Sequence, residues 1–146
     1  MYDPTQRPAA TADYADEEAF LFAFETHVLW KALPAFEEAS RYARDRGLDC
    51  QVELLTDADG HPELCLLARL GGGQRHSSYR IVADTENQGL VHEQYAVHGG
   101  YTRRLPAHLA SIDSSVLDKQ LADFFMQAFG MHLGQASAHP ARRAYG

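Results

Sequence analysis

The fold is decided by the stretch LDCQVELLTDADGHPELCLLARL, which spans residues 48–70. Its central motif, Asp57-Ala58-Asp59-Gly60, separates two alternating runs, and this pattern is typical of a hairpin whose three-residue loop ends in a left-handed glycine. Pairing outward from the loop gives one face that is apolar on both strands, in the pairs Leu54–Leu64, Val52–Leu66, Cys50–Ala68 and Leu48–Leu70. Because a slip of one residue would scatter these side chains over both faces, the pattern predicts both the hairpin and its register.

A second motif, Glu86-Asn87-Gln88-Gly89, lies between two further alternating runs. If Gly89 is the left-handed end of another three-residue loop, the predicted pairs are Thr85–Val91, Ala83–Glu93, Ile81–Tyr95 and Tyr79–Val97. The glycines at 71–73 join the two hairpins. We therefore expect a four-stranded meander with strands at about 48–56, 62–70, 77–85 and 90–98, and a possible fifth strand at about 101–105.

One helix is expected before the strands in the sequence and another after them. The first begins at about Asp13, a suitable N-cap, and ends at Arg46 before Gly47. Pro34 is expected to kink or split this helix, because proline removes a backbone hydrogen bond.

The second helix is expected to be capped at Asp113 or Ser114 and to end at Gly130. The predicted class is therefore α+β, with both helices on one face of an antiparallel meander. The predicted organisation is a disordered segment at 1–12, a single domain at 13–133 and a flexible tail at 134–146.

Charge and composition limit the partners that this chain can have. The net charge is −7 and the basic residues are scattered, so we expect no nucleic-acid partner. The longest apolar stretch, residues 19–24, is too short for a bilayer span, so we expect no membrane partner and a cytoplasmic protein. The register above places Cys50 and Cys65 on opposite faces, which predicts two free thiols.

Aromatic residues on the first helix suggest a binding surface. At about 100° per residue, the core-facing stripe contains Leu21, Phe22, Val28, Leu29, Ala32, Leu33, Phe36, Ala39 and Ala43. This placement leaves Phe20, Phe24, His27 and Trp30 on other faces of the helix. Either the second helix or the tail covers these side chains, or they form a homodimer seam or a groove for a protein partner.

The sheet face away from the helices is a second candidate surface. It is predicted to be polar with an apolar middle that includes Leu55, Leu67 and Val82, and either water or a partner can cover such a face. The full set expected there is Gln51, Glu53, Leu55, Glu63, Cys65, Leu67, Arg69, Arg80, Val82, Asp84, His92, Gln94, Ala96 and His98.

A catalytic or ligand-binding pocket is the alternative interpretation. Glu25 falls inside the apolar stripe, where burial would raise the pKa of a carboxyl group, and Tyr79 and Tyr95 are candidates to line a pocket with it. The histidines do not have the spacing of a metal site, and the Asp57 motif lacks the closing glutamate of a calcium loop. We therefore expect no metal, no other cofactor and no assigned catalytic residue.

Protein interaction is the function that these patterns favour. We expect a non-enzymatic adaptor-like or chaperone-like domain that acts by self-association or by binding a protein partner. The order of elements is similar to that of small acidic bacterial secretion chaperones, although those carry a further helix between strands, and to a cystatin-like arrangement. A small enzyme with a pocket between helices and sheet, and an acidic mimic of nucleic acid that inhibits a nucleic-acid-binding protein, remain alternatives.

Overall fold

The computed structural model describes residues 16–72 and 75–133. One continuous helical run, which we call α1, covers residues 16–45; it is α-helical at 16–23, widens into a π-helical turn at Phe24–Leu29 and returns to an α-helix at Trp30–Asp45. It is followed by β1 (Asp49–Thr56), β2 (Pro62–Arg69), β3 (Ser77–Asp84), β4 (Gly89–Ala96), β5 (Tyr101–His108) and the second long helix α2 (Ser114–Phe129). Short 3-10 turns at His98–Gly100 and Leu109–Ser111 flank β5. The expected segments at 1–12 and 134–146, and the cap at Asp13, lie outside the described residues.

The five strands form one antiparallel sheet in the order β1-β2-β3-β4-β5. Both helices pack on one face of the sheet, which we call the inner face, and the core forms between the helices and this face. This confirms the predicted α+β class, and the fifth strand, which the sequence left open, is present. Across the described ranges, no helix combines the length and the apolar character that crossing a bilayer requires.

The first hairpin has the predicted register, with Leu54 opposite Leu64 and Cys50 opposite Ala68. Its loop closes through hydrogen bonds from the Gly60 amide to the Asp57 carbonyl and from the Asp57 amide to the His61 carbonyl, each 2.9 Å long. Gly60 is left-handed, with φ +84°, as the motif predicted. Both cysteines are free, as expected, since Cys65 lies on the outer face opposite Glu53.

The predicted register of the second hairpin is wrong by three residues. Tyr79 lies opposite Gln94 rather than Val97, and Asp84 opposite Gly89. The loop is therefore four residues long, and Gln88, not Gly89, adopts positive φ at 50°. The Asp84 carboxylate stabilises this longer loop by accepting hydrogen bonds from the backbone and side-chain N–H groups of Asn87.

A shift of three reverses the faces of β4, because side chains alternate along a strand. The expectation that His92, Gln94 and Ala96 lie on the outer face is therefore wrong, and all three are buried on the inner face. Val91, Glu93 and Tyr95 take their place outside. This arrangement also turns Leu90 into the core, where it is fully buried.

The π-turn changes which residues of α1 face the core. Phe20 and Phe24 are buried, so their predicted placement outside the core is wrong, whereas Phe22 is 70% exposed and Glu25 is also exposed. A π-turn adds a residue to one helical turn, so residues before it are rotated relative to a regular α-helix. The π-turn therefore accounts for the difference between predicted and observed placement at all four residues, Phe20, Phe22, Phe24 and Glu25.

The ends of both helices follow the sequence signals. Gly47 ends α1 with φ +97°, and Gly130 ends α2 with φ +64°. Asp113 is the N-cap of α2 and accepts a hydrogen bond from the Val116 amide at 2.9 Å. Of the two outcomes expected at Pro34, a kink or a split, the split does not occur, because the α-helix runs through this residue and the irregular turn precedes it.

Candidate functional site

A groove of about 140 Å³ lies between α1 and the end of β1 that leads into the first hairpin loop. It brings together Glu25, Trp30 and Leu55, which the sequence singled out for different reasons. The complete lining is Glu25, Leu29, Trp30, Leu33, Leu54, Leu55, Thr56 and Pro62. Glu25 is the charged member of an otherwise mainly apolar set.

The π-turn shapes the helical wall of this groove. In a regular α-helix, residues five apart are about 140° apart around the axis, so Glu25 and Trp30 would diverge. A π-turn hydrogen-bonds each residue to the one five positions away, which brings such residues close to one side of the helix. Glu25 and Trp30 consequently line the same groove. Sequence periodicity alone does not predict this pairing.

The groove has an exposed apolar rim. Trp30 is 65% exposed and Leu54 is 55% exposed, and Leu55 is also open to solvent. Large apolar side chains gathered at one place on a surface mark binding sites more often than isolated ones do. The inner-face position of Leu54 predicts burial, so sequence reasoning does not place this residue in the site, but α1 leaves this end of β1 uncovered.

β1 is an edge strand, so no strand among the described residues pairs with its open edge, although the Cys50 carbonyl on that edge accepts a hydrogen bond from Arg44 Nη1 at 3.2 Å. In an antiparallel pair, every second residue of a strand forms hydrogen bonds with the partner strand. The Asp57 amide donates to the His61 carbonyl, so the residues that bond to β2 are those an even number of positions from Asp57. The N–H groups of Val52 and Leu54 therefore point away from β2, toward the open edge. A neighbouring extended chain could accept hydrogen bonds from both.

The opposite edge of the sheet has one protective feature that β1 lacks, a proline, whereas both edge strands carry charged residues, with Asp49 and Glu53 on β1. β5 carries Pro106, which has no N–H to donate, and the adjacent charged residues Arg103 and Arg104. Proline and charge on an edge strand are common devices against unwanted strand pairing. β1, with the sequence DCQVELLT, has no proline and ends in Leu54, Leu55 and Thr56, which are all exposed.

The remaining predicted partner-binding residues do not join the groove. Phe20 and Phe24 are in the core, and His27 is exposed on α1 but is not among the lining residues. Leu67 and Val82 lie half-buried on the outer face of the sheet. Ion pairs cross that face, from Arg80 to Glu63 at 3.1 Å and from Arg104 to Glu93 at 2.9 Å.

The three predicted pocket residues lie in three different places. Glu25 is in the groove, Tyr79 is fully buried on the inner face, and Tyr95 is on the outer face. These residues therefore form no common pocket, and the structure does not bring together the set on which the enzyme alternative was based.

Tyr79 belongs to a polar cluster inside the core. Its hydroxyl shares a 2.8 Å hydrogen bond with Nδ1 of His92, and the Gln94 side chain donates to the Gln120 carbonyl oxygen at 3.2 Å. Burial raises the pKa of Tyr79 well above its usual range. Burial, assisted by the positive charge of Arg103, lowers the pKa of His92 from 6.5 to about 4.

The buried histidine makes stability depend on pH. The unfolded chain takes up the His92 proton below pH 6.5, but the folded chain does so only near pH 4. Stability from this group is therefore present above pH 6.5 and decreases as pH falls toward 4. We expect a loss of about 2 kcal/mol between about pH 7 and pH 5, measured by urea unfolding.

The control for this prediction is the double variant Tyr79→Phe/His92→Leu, which removes both hydrogen-bonding partners and leaves neither unsatisfied. Its stability should change less over the same pH interval, by the contribution of His92. An unchanged pH dependence in the double variant would show that other groups cause the acid sensitivity.

The first hairpin loop holds a cluster of possible metal ligands. Ligand atoms of Asp57, Asp59 and His61 all lie within 4.8 Å of one another. However, Asp57 Oδ1 already accepts hydrogen bonds from the Asp59 and His61 amides, each 2.9 Å long, and the His61 ring lies 3.5 Å from Glu17. These contacts account for the cluster as a hydrogen-bonded turn, in agreement with the hairpin loop that the sequence predicts.

No protein-family model, curated protein or solved structure matches this chain. Function is therefore inferred from the groove and from the free edge of β1, which adjoin each other at Leu54 and Leu55.

Proposed function

We propose that this chain is a protein-interaction domain that binds an extended segment of a partner protein as an added strand on β1. One observation carries the proposal: the N–H groups of Val52 and Leu54, which no strand in the described part of the chain pairs with, adjoin an apolar groove at Leu54. In strand addition, backbone hydrogen bonds supply affinity and a neighbouring pocket supplies specificity. Both elements are present at the β1 edge.

A partner segment fits this edge better than the β1 strand of a second copy. α1 packs chiefly on β1, so each copy would bring its own helix to the new interface. Paired strands are about 4.8 Å apart, whereas packed helices need about 8–10 Å between their axes. Two α1 helices brought over adjacent β1 strands would therefore compete for space, but an extended segment brings no helix.

The proposal is tested by selecting binders from a displayed library of random nonapeptides. Selected peptides should protect the Val52 and Leu54 amides from hydrogen exchange. The variant Leu54→Lys should lose at least about tenfold in affinity, because an inward-facing lysine on an edge strand opposes strand pairing. The matched control is Leu70→Lys, which adds the same charge at a leucine that is 62% exposed beyond β2.

Two results would overturn the proposal. One is a set of selected peptides that bind Leu54→Lys as well as the unchanged chain. The other is a dimeric mass by light scattering at tens of micromolar, together with Val52 and Leu54 amides that are protected without peptide. The second result would identify another copy of this chain as the occupant of the edge.

A further inference from the structure

We infer that the partner segment presents one bulky apolar side chain to the groove and an arginine or lysine two residues away. This inference rests on the proposed function and specifies the side chains that the β1 edge selects. It follows from the volume of the groove, the identity of its charged residue and the alternation of side chains along a strand.

The volume of the groove sets the size of the apolar side chain. A cavity of about 150 Å³ with an apolar lining is large enough to hold a benzene molecule. The groove, at about 140 Å³, therefore accommodates a single side chain of the size of leucine, methionine or phenylalanine. Leu29, Leu33 and Leu54 supply apolar surface for it.

The charge of the partner is set by Glu25 and Trp30. Glu25 is the charged lining residue and is exposed, so it can pair with a cation on a bound segment. The Trp30 ring, which is largely exposed beside it, offers a face on which a guanidinium or ammonium group can rest. Both groups favour arginine or lysine over an acidic residue, and the net charge of −7 acts in the same direction.

The spacing follows from strand geometry. Side chains on one face of a strand recur every second residue, about 6.6 Å apart. The groove wall formed by α1 lies on the inner side of the sheet, so the apolar and basic side chains that reach it occupy alternate positions of the segment. Intervening residues face the outer side and make no contact with the groove wall.

The test uses nonapeptides that share one threonine-rich and valine-rich sequence and differ at two positions. The central residue is leucine or serine, and the residue two positions later is arginine or glutamate. By fluorescence anisotropy, the leucine and arginine peptide should bind at least about tenfold more tightly than either peptide in which one of these residues is replaced. Glu25→Lys should reverse the preference, so that the leucine and glutamate peptide binds better.

The matched control is Glu37→Lys, which makes the same change in net charge at an exposed position of α1 outside the groove lining. It should retain the preference for arginine. Equal binding of all the peptides, with protection of the Leu54 amide, would overturn this inference while supporting strand addition. Failure of every peptide, including those selected from the random library, would overturn the proposed function itself.

Discussion

Replacing Phe24 with alanine should lower the free energy of unfolding by about 3–5 kcal/mol, while the same change at Phe22 should alter it by less than about 0.5 kcal/mol. Phe24 is completely buried, and its ring lies 6.3 Å from that of Phe20, whereas Phe22 is 70% exposed. Removing a buried ring loses its transfer free energy and leaves a cavity. Removing an exposed ring does neither.

Urea unfolding of the two variants at neutral pH measures this difference directly, since both remove the same atoms from the same helix. A regular α-helix through residues 20–32 would give the reverse order, with Phe22 in the core and Phe24 outside it. Equal losses, or a larger loss at Phe22, would therefore contradict the π-turn and the helical wall of the groove that depends on it.

The contrast between the two hairpins shows what alternation can and cannot specify. In the first hairpin, apolar residues occupy one face of both strands, so a single register satisfies the pattern and the prediction was correct. In β4, Leu90 and Val91 are adjacent apolar residues, and His92, Gln94 and Tyr95 have mixed character. The sequence of β4 therefore does not specify which of its faces points toward the core. The length of the loop between β3 and β4 determines it.

The polar residues turned inward on β4 form hydrogen bonds with other parts of the fold, although the side-chain oxygen of Gln94 has no partner among the described residues. His92 meets Tyr79 across the sheet, and Gln94 meets Gln120 on α2. Such pairings involve residues 13 and 26 positions apart, which local patterns do not reveal. Buried polar groups that pair at long range are therefore the main reason that the predicted outer face was partly wrong.

The groove was predictable only in part. The sequence predicts that Trp30 and Leu55 are apolar residues facing a partner, and the structure places both beside the same groove. For Glu25 the sequence predicts a place within the apolar stripe, but the residue lies in the groove because the π-turn moves it out of the core. Nothing in the local sequence specifies a π-turn, so the meeting of these three residues required the three-dimensional structure.

Substituting Gly89 with alanine should destabilise the fold by about 3 kcal/mol, because the position has no space for a side chain. A Cβ atom there would lie 2.5 Å from the carbonyl oxygen of Ala107 on β5. This oxygen belongs to the backbone and cannot rotate away, so β5 would have to separate from β4. Thermal and urea unfolding should both report the loss.

The matched control is Gly71→Ala, where an added Cβ would meet no heavy atom within 4 Å and φ is not left-handed. Its stability should change by less than about 0.5 kcal/mol.

At the loop position next to Gly89, Gln88→Gly should increase stability by about 1 kcal/mol, since it relieves a left-handed conformation. If Gly89 were the left-handed end of a three-residue loop, Gly89→Asn would be tolerated and Gln88→Gly would destabilise the hairpin. The change in stability caused by Gln88→Gly, together with the response to substitution of Gly89, therefore distinguishes the two registers. It also shows on which face of the sheet His92 lies.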